Sequence, residues 1–175
     1  VDMFHLEEYV DLPETHPASF RQYLKERFVS RVPIRRAHFV DGTREGIAAL
    51  TEELRSAPVD LGLIGIGENG HIAFNEPADK FTDEAFRVTL TQSTINSNQK
   101  YFGDVPMPRY AMTMGIGSIM RSKKILLIAT GESKAKAIKA MVSGEITPQI
   151  PCSILNEHKS VIIMLDKAAA SLIEK

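Results

Sequence analysis

Apolar side chains follow two rhythms along the chain. At residues 1–6, 59–64, 124–130 and 161–165 they stand side by side in short runs, the pattern of strands covered on both faces. The stretch 124–130 is the clearest of these. Elsewhere they return at helical spacing. Phe20, Tyr23, Leu24 and Phe28 do so within 19–29, and Ile47, Leu50 and Leu54 within 43–56. Asp41-Gly42 turns the chain, Thr43 is placed to cap the second helix, and Pro58 ends it. The aromatics of the first helix are expected to face the core. Residues 86–91 and 111–114 read as further strands, 34–40 as a short strand or crossing loop, and 119–120 as a helical turn. Gly131 precedes a helix over 133–142. Pro151 opens a short helix, with His158 expected at its C-terminal end, where a cation is favoured. Residues 167–173 read as a closing helix.

Strand and helix alternate without internal repeat. That order predicts an α/β fold: one doubly wound, mostly parallel sheet with helices on both faces, a Rossmann-like three-layer αβα arrangement. At 175 residues the chain is one domain, 1–175, with enough length for a core.

One strand ends in unusual chemistry. After 59–64 come Gly65-Ile66-Gly67-Glu68-Asn69-Gly70-His71-Ile72-Ala73-Phe74-Asn75-Glu76-Pro77. Strand ends of α/β sheets line the ligand crevice. His71 has the carboxylate of Glu76 five residues on, close enough in sequence to form an oriented acid–base pair. A structural loop with a satisfied histidine is the plainer alternative. Gly65, Gly67 and Gly70 also match a dinucleotide fingerprint superficially, but Asn75-Glu76-Pro77 interrupts where that fingerprint needs a helix.

A second feature points to an anion. The strand 124–130, Gly131 and a helix N-terminus together present free backbone N–H groups. Lys134 lies in the first turn, where the helix dipole disfavours a cation unless an anion sits between. Lys136 and Lys139 read as solvated. Residues 92–102 are polar, weakly helical and have little to bury, as a mobile lid does. Of the adjacent Glu7 and Glu8 at the end of the first strand, only one can face a given pocket.

Charge and composition narrow the classes. The net charge of −1 offers no field for nucleic acid. The single Cys152 excludes an internal disulfide and reads as a small buried side chain. No apolar run would span a bilayer and no leader is evident, so no membrane partner and a cytoplasmic location are expected. His5, His16, His38, His71 and His158 lack zinc spacing, and no elbow motif presents a nucleophile. No metal and no cofactor are expected. What is left is proton transfer beside a phosphate anchor.

Asn69-Gly70-His71-Ile72-Ala73-Phe74-Asn75-Glu76-Pro77 resembles the signature of the glucosamine-6-phosphate deaminase (isomerase) family. Glu8-Tyr9-Val10-Asp11-Leu12-Pro13, Ala111-Met112-Thr113-Met114-Gly115-Ile116, Thr130-Gly131-Glu132-Ser133-Lys134-Ala135 and Ile150-Pro151-Cys152-Ser153-Ile154-Leu155 match in the same order, so the similarity covers nearly the whole chain. The related 6-phosphogluconolactonases lack the Phe-Asn-Glu-Pro continuation. The resemblance implies a hydrolase-type deaminase of amino-sugar catabolism, turning glucosamine 6-phosphate, or a galactosamine variant, into a ketose phosphate and ammonia. It implies that His71 assists ring opening, Glu76 orients His71, and Asn69 completes the relay where some members carry Asp. Glu7 falls where the family has the Asp that moves the C2 proton. Lys134 and the lid residue Lys100 fall at phosphate-binding positions, Lys100 in place of an Arg. The family's first strand, helix and phosphate loop have no counterpart in these residues, and a homo-oligomer is possible in such a family. A sugar-phosphate-sensing module without turnover is the alternative, and a 6-phosphogluconolactonase a lesser one.

Overall fold

The computed structural model describes residues 1–173. It has an α/β fold with strands between helices, and its strands form three hydrogen-bonded ladders. Asp2–Phe4 (β1) runs parallel to Arg36–His38 (β3), with Met3 opposite Ala37. The chain then changes partner. Glu7–Tyr9 (β2) lies antiparallel to Tyr110–Thr113 (β6), which also pairs antiparallel with Phe86–Thr89 (β5). The parallel ladder places Lys124–Ala129 (β7) between Leu61–Ile64 (β4) and Val161–Leu165 (β8).

Local chemistry starts the helices where the sequence predicts. The Ser19 hydroxyl accepts the Gln22 N–H at the head of Phe20–Leu24 (α1), which widens into a π-turn over Lys25–Val29. Thr43 accepts the Gly46 N–H at 3.1 Å and caps Arg44–Ser56 (α2), a contact worth about 1 kcal/mol. The polar stretch after β5 forms Gln92–Asn98 (α3) and a 3-10 turn over Gln99–Tyr101. Ile116–Met120 (α4) follows β6. A 3-10 turn over Glu132–Lys134 leads into Ala135–Val142 (α5). No helix of the described residues is long and apolar enough to cross a membrane.

The main core joins Ile64, Ile125, Leu127 and Ala129 of the parallel ladder to Leu50 and Leu54 of α2 and Ile138 and Met141 of α5. Each such side chain contributes about 1.5–3 kcal/mol by leaving water. A smaller aromatic core (Tyr9, Phe74, Val88, Leu90, Phe102) lies against the antiparallel ladder.

Three expectations are corrected. Phe20 packs against the aromatic core, but Tyr23 of α1 is exposed, and so is Phe28, where the π-turn that follows α1 breaks the helical spacing. Neither outer strand of the parallel ladder, β4 within 59–64 or β8, is buried on both faces. In register, Leu63, Leu126 and Ile162 stand abreast, as do Ile128 and Met164, and Leu61, Leu63, Ile128, Ile162 and Met164 are exposed. Among the described residues, nothing seals that outer face. The closing helix over 167–173 is a series of turns headed by Asp166, whose carboxylate accepts the Ala169 N–H at 2.7 Å. His158 does stand at the C-terminal end of the short helix, a 3-10 helix over Pro151–Glu157, and there Nε2 reaches the Ser122 carbonyl at 2.8 Å and Nδ1 accepts the Ser160 N–H, so the ring ties two loops together.

Candidate active site

β4 delivers the glycine loop to the sheet end, and buried Ile64 and Ile66 pin it there. The loop closes on itself: the Gly67 N–H donates to the His71 carbonyl at 2.8 Å and the Gly70 N–H to the Gly67 carbonyl at 3.1 Å. A Cβ on Gly67 would fall inside the His71 imidazole, and Gly70 has φ +86° with Cys152 Sγ 3.3 Å from where its Cβ would be. These glycines make room for the histidine and its neighbours, which accounts for the dinucleotide-like spacing. Ala73, at φ +48°, then turns the chain back. Asn75 locks that turn by donating to the carbonyls of Ile72 (3.0 Å) and Met114 (2.8 Å) while accepting from Thr82 Oγ1 (2.9 Å). Asn75 is therefore a buried brace, and the turn returns Glu76 to His71.

His71 Nδ1 lies 3.5 Å from Glu76 Oε2. Asn69 Nδ2 donates to the same oxygen at 2.7 Å, and Asn69 Oδ1 accepts the His71 N–H at 3.2 Å. Thr91 gives Glu76 its N–H and its hydroxyl, both at 3.2 Å. Burial works to raise the Glu76 pKa. The hydrogen bonds from His71, Thr94 and Asn69 and the charge of His71 outweigh it and hold the carboxyl down at about 2. Glu76 is thus an ionised acceptor at neutral pH, which suits it to orient an imidazole.

Glu7 and Glu8 separate as an extended chain requires. The Glu8 carboxylate accepts from the Ser19 hydroxyl (2.7 Å) and the N–H groups of Tyr9, Phe20 and Arg21, and so anchors α1. Glu7 is partly buried, and its Oε2, shut off from solvent, has no hydrogen-bond partner. Burial first, then the charges of Glu8 and Glu76, push its pKa up to about 8. A carboxyl titrating near the working pH beside an acid–base pair is a marker of proton-transfer sites.

Ile66, Gly67, Glu68, Asn69, His71 and Lys134 line one wall of a narrow cleft, and Ser93, Thr94, Ser97 and Asn98 of α3 line the other. Its volume is about 80 Å³, against roughly 300–1,000 Å³ for small-molecule sites, so α3 sits down on the crevice. Lys134 is the residue immediately before α5. Burial lowers its pKa, Glu68 raises it, and Lys100 lowers it further. Lys100 itself is exposed, with Nζ 5.2 Å above the Tyr101 ring, and reaches the cleft only as charge. Cys152 is fully buried, and burial pushes its thiol up to about 12, as befits a packing residue. Sequence reading left out Thr91, Thr94 and Asn98. Their spacing places them on one helix face, but a face without apolar residues gives no periodic signal.

Comparisons with known proteins find relatives along most of the chain. The family profile described as glucosamine-6-phosphate isomerases/6-phosphogluconolactonase matches residues 1–164. The chain is 42% identical over 175 residues to glucosamine-6-phosphate deaminase of Lactobacillus delbrueckii subsp. bulgaricus, covering 97% of this chain and 75% of the relative. It is 42% identical over 176 residues to that of Lacticaseibacillus paracasei, covering 98% and 75%. A solved structure of a monomeric glucosamine-6-phosphate deaminase superposes with a TM-score of 0.89 at 35% identity, over 97% of this chain and 73% of that one. 6-Phosphogluconolactonase from Trypanosoma brucei shares the fold at a TM-score of 0.71 and 15% identity, over 98% and 73%. With the profile matching residues 1–164 and relatives 42% identical over 97% or more of its length, the chain belongs to the glucosamine-6-phosphate isomerase/6-phosphogluconolactonase family.

Proposed function

We propose that this chain isomerises and deaminates an amino-sugar phosphate, taking glucosamine 6-phosphate to fructose 6-phosphate and ammonia. The observation that supports this reading is an imidazole held by an ionised carboxylate in the same cleft as a half-buried lysine, with the charge of that carboxylate acting on a second carboxyl, Glu7, that burial pushes up to about 8. His71 moves a proton between the ring oxygen and the C1 hydroxyl and so opens the sugar. Glu76 and Asn69 orient it. Glu7 takes the C2 proton and returns it at C1. Water then adds at C2 as ammonia leaves, so the deamination is hydrolytic overall. Glu7 must be ionised to start, and an amino-sugar ammonium beside it favours that form. Lys134, with the charge of Lys100 behind it, holds the phosphate, and fixing that end orients the reacting carbons.

The substrate is a phosphorylated sugar, an anion that does not cross a bilayer unaided, which supports a cytoplasmic setting. The sensing alternative draws on the raised pKa of Glu7, since a carboxyl still protonated at pH 7 is a slow base. Ammonia release from glucosamine 6-phosphate and galactosamine 6-phosphate, run beside calorimetry, separates the two. Turnover that falls about a hundredfold or more in His71→Gln is expected. Binding without ammonia from either sugar leaves the sensor, and a lactonase assay on the same sample tests the remaining alternative.

A further inference from the structure

Thr91, Thr94 and Asn98 follow the i, i+3, i+7 spacing that stacks side chains on one helix face. Thr91 is the cap of α3, and its hydroxyl accepts the Thr94 N–H at 3.3 Å. That face touches the chemistry at three points. Thr91 donates to Glu76, Thr94 Oγ1 lies 3.3 Å from His71 Nδ1, and Asn98 Nδ2 donates to the Tyr9 hydroxyl at 3.4 Å, two residues beyond Glu7. The imidazole is nearer to the Thr94 hydroxyl than to Glu76, at 3.3 against 3.5 Å. Thr94 is 2% exposed, and its Oγ1 lies 3.2 Å from Thr91 Oγ1. A continuous path therefore runs from the imidazole through two lid hydroxyls to the carboxylate.

An ionised carboxylate only accepts. The proton on His71 therefore sits on Nδ1, shared between Glu76 Oε2 and Thr94 Oγ1, and Nε2 keeps its lone pair for the sugar. Among the described residues His71 is the basic group within 4 Å of the Glu76 carboxylate, and the charge of Glu76 in turn acts on Glu7 of β2. If α3 lifts, His71 loses Thr94 and Glu76 loses both Thr91 donors, while Asn69 stays. We propose that Thr94 and Thr91 are positioning residues that join the lid helix to the acid–base pair, so that the tautomer of His71 is set only when α3 is seated. Opening the lid for a substrate then disarms the pair, and closing it over the bound sugar arms it.

The kinetic arm of the test rests on the deaminase reading, whereas the spectroscopic arm does not. Thr91→Val would also remove the cap of α3, so Thr94 is the cleaner site. In the 175-residue chain, Thr94→Val should lower kcat about tenfold to hundredfold, the worth of a hydrogen bond to a charged group, with KM within about threefold. Nitrogen-15 spectra of the free protein, with the His71 signals assigned by His71→Gln, should change from one Nδ1–H tautomer to a mixture. Thr94→Ser should restore both the rate and the single tautomer. A Thr94→Val chain that keeps the parental tautomer overturns the proposal even if the parent releases no ammonia. So does a Thr94→Ser chain as impaired as Thr94→Val, because packing of the methyl would then be the cause. Absence of ammonia from the parent, with the tautomer responding as expected, sinks the activity reading alone.

Discussion

Glu7→Gln removes one ionisable group from a partly buried site while keeping its shape, and its consequence can be worked from the geometry. The carboxyl titrates at about 8 in the fold, raised by burial first and then by the charges of Glu8 and Glu76, against an ordinary 4.5 in the unfolded chain. Between those values the folded chain holds a proton that the unfolded chain has released. Stability therefore falls as pH rises through this window and levels off above about 8. A gap of roughly three and a half pH units at ~1.36 kcal/mol each gives about 5 kcal/mol as an upper bound, a large share of the roughly 5–15 kcal/mol that holds a domain. Glu8 and Glu76 remain in the variant, and any cost of seating the glutamine amide is the same at every pH. The difference between the two proteins should thus grow by about 1.4 kcal/mol per pH unit in favour of Glu7→Gln from pH 5 to 8. Urea midpoints at pH 5, 6, 7, 8 and 9 measure it. The lowered Glu76 loses its contribution in a separate window, as pH falls from 4.5 through about 2, so it does not interfere. Parallel stability curves for the two chains would refute the burial of the Glu7 carboxyl and its role as a base tuned by it.

Three further outcomes are expected. Lys134→Met should raise KM for the sugar phosphate about tenfold or more and weaken inhibition by inorganic phosphate equally, with kcat less affected, because the lysine meets the anion as a point charge in a half-buried site; an unchanged phosphate inhibition constant removes it from the anchor. Asn75→Leu should cost about 2–4 kcal/mol in urea unfolding, because the buried carbonyls of Ile72 and Met114 lose their shared donor; a cost below about 1 kcal/mol would mean that the turn carrying Glu76 holds without it. The aliphatic outer face of the parallel ladder should make the 175-residue chain self-associate as concentration rises, and Leu63→Lys should reduce the mass seen by light scattering; a single-chain mass at all concentrations would count against that face as a contact.

Much of the architecture was legible because its causes are local. The apolar run over 124–129 marks β7 as a strand, though its outer face stays open at Ile128, and Thr43 with Leu50 and Leu54 specifies α2 by its cap and its apolar stripe. The errors arose where the cause lies elsewhere in the fold. Tyr23 and Phe28 keep helical spacing with Phe20, yet both are exposed, Phe28 after a π-turn has broken that spacing. Val161–Leu165 reads as buried, yet it borders β7 on one side only and its outer side chains meet no cover among the described residues. In α3 the inward face is threonine and asparagine, so hydrophobic periodicity cannot mark it.

At the site the division is the same. Residue order alone dictated a loop of glycines at a strand end, with His71 and Glu76 near enough to meet, because a turn of a few residues has little freedom to separate them. Folding decided that Glu7 sits among the charges of Glu8 and Glu76, that Lys134 shares a cleft with His71, and that the lid supplies the hydroxyls between acid and base. Those groups come from separate strands and helices. Their pKa values and their protons follow from burial and distance, which no local pattern encodes.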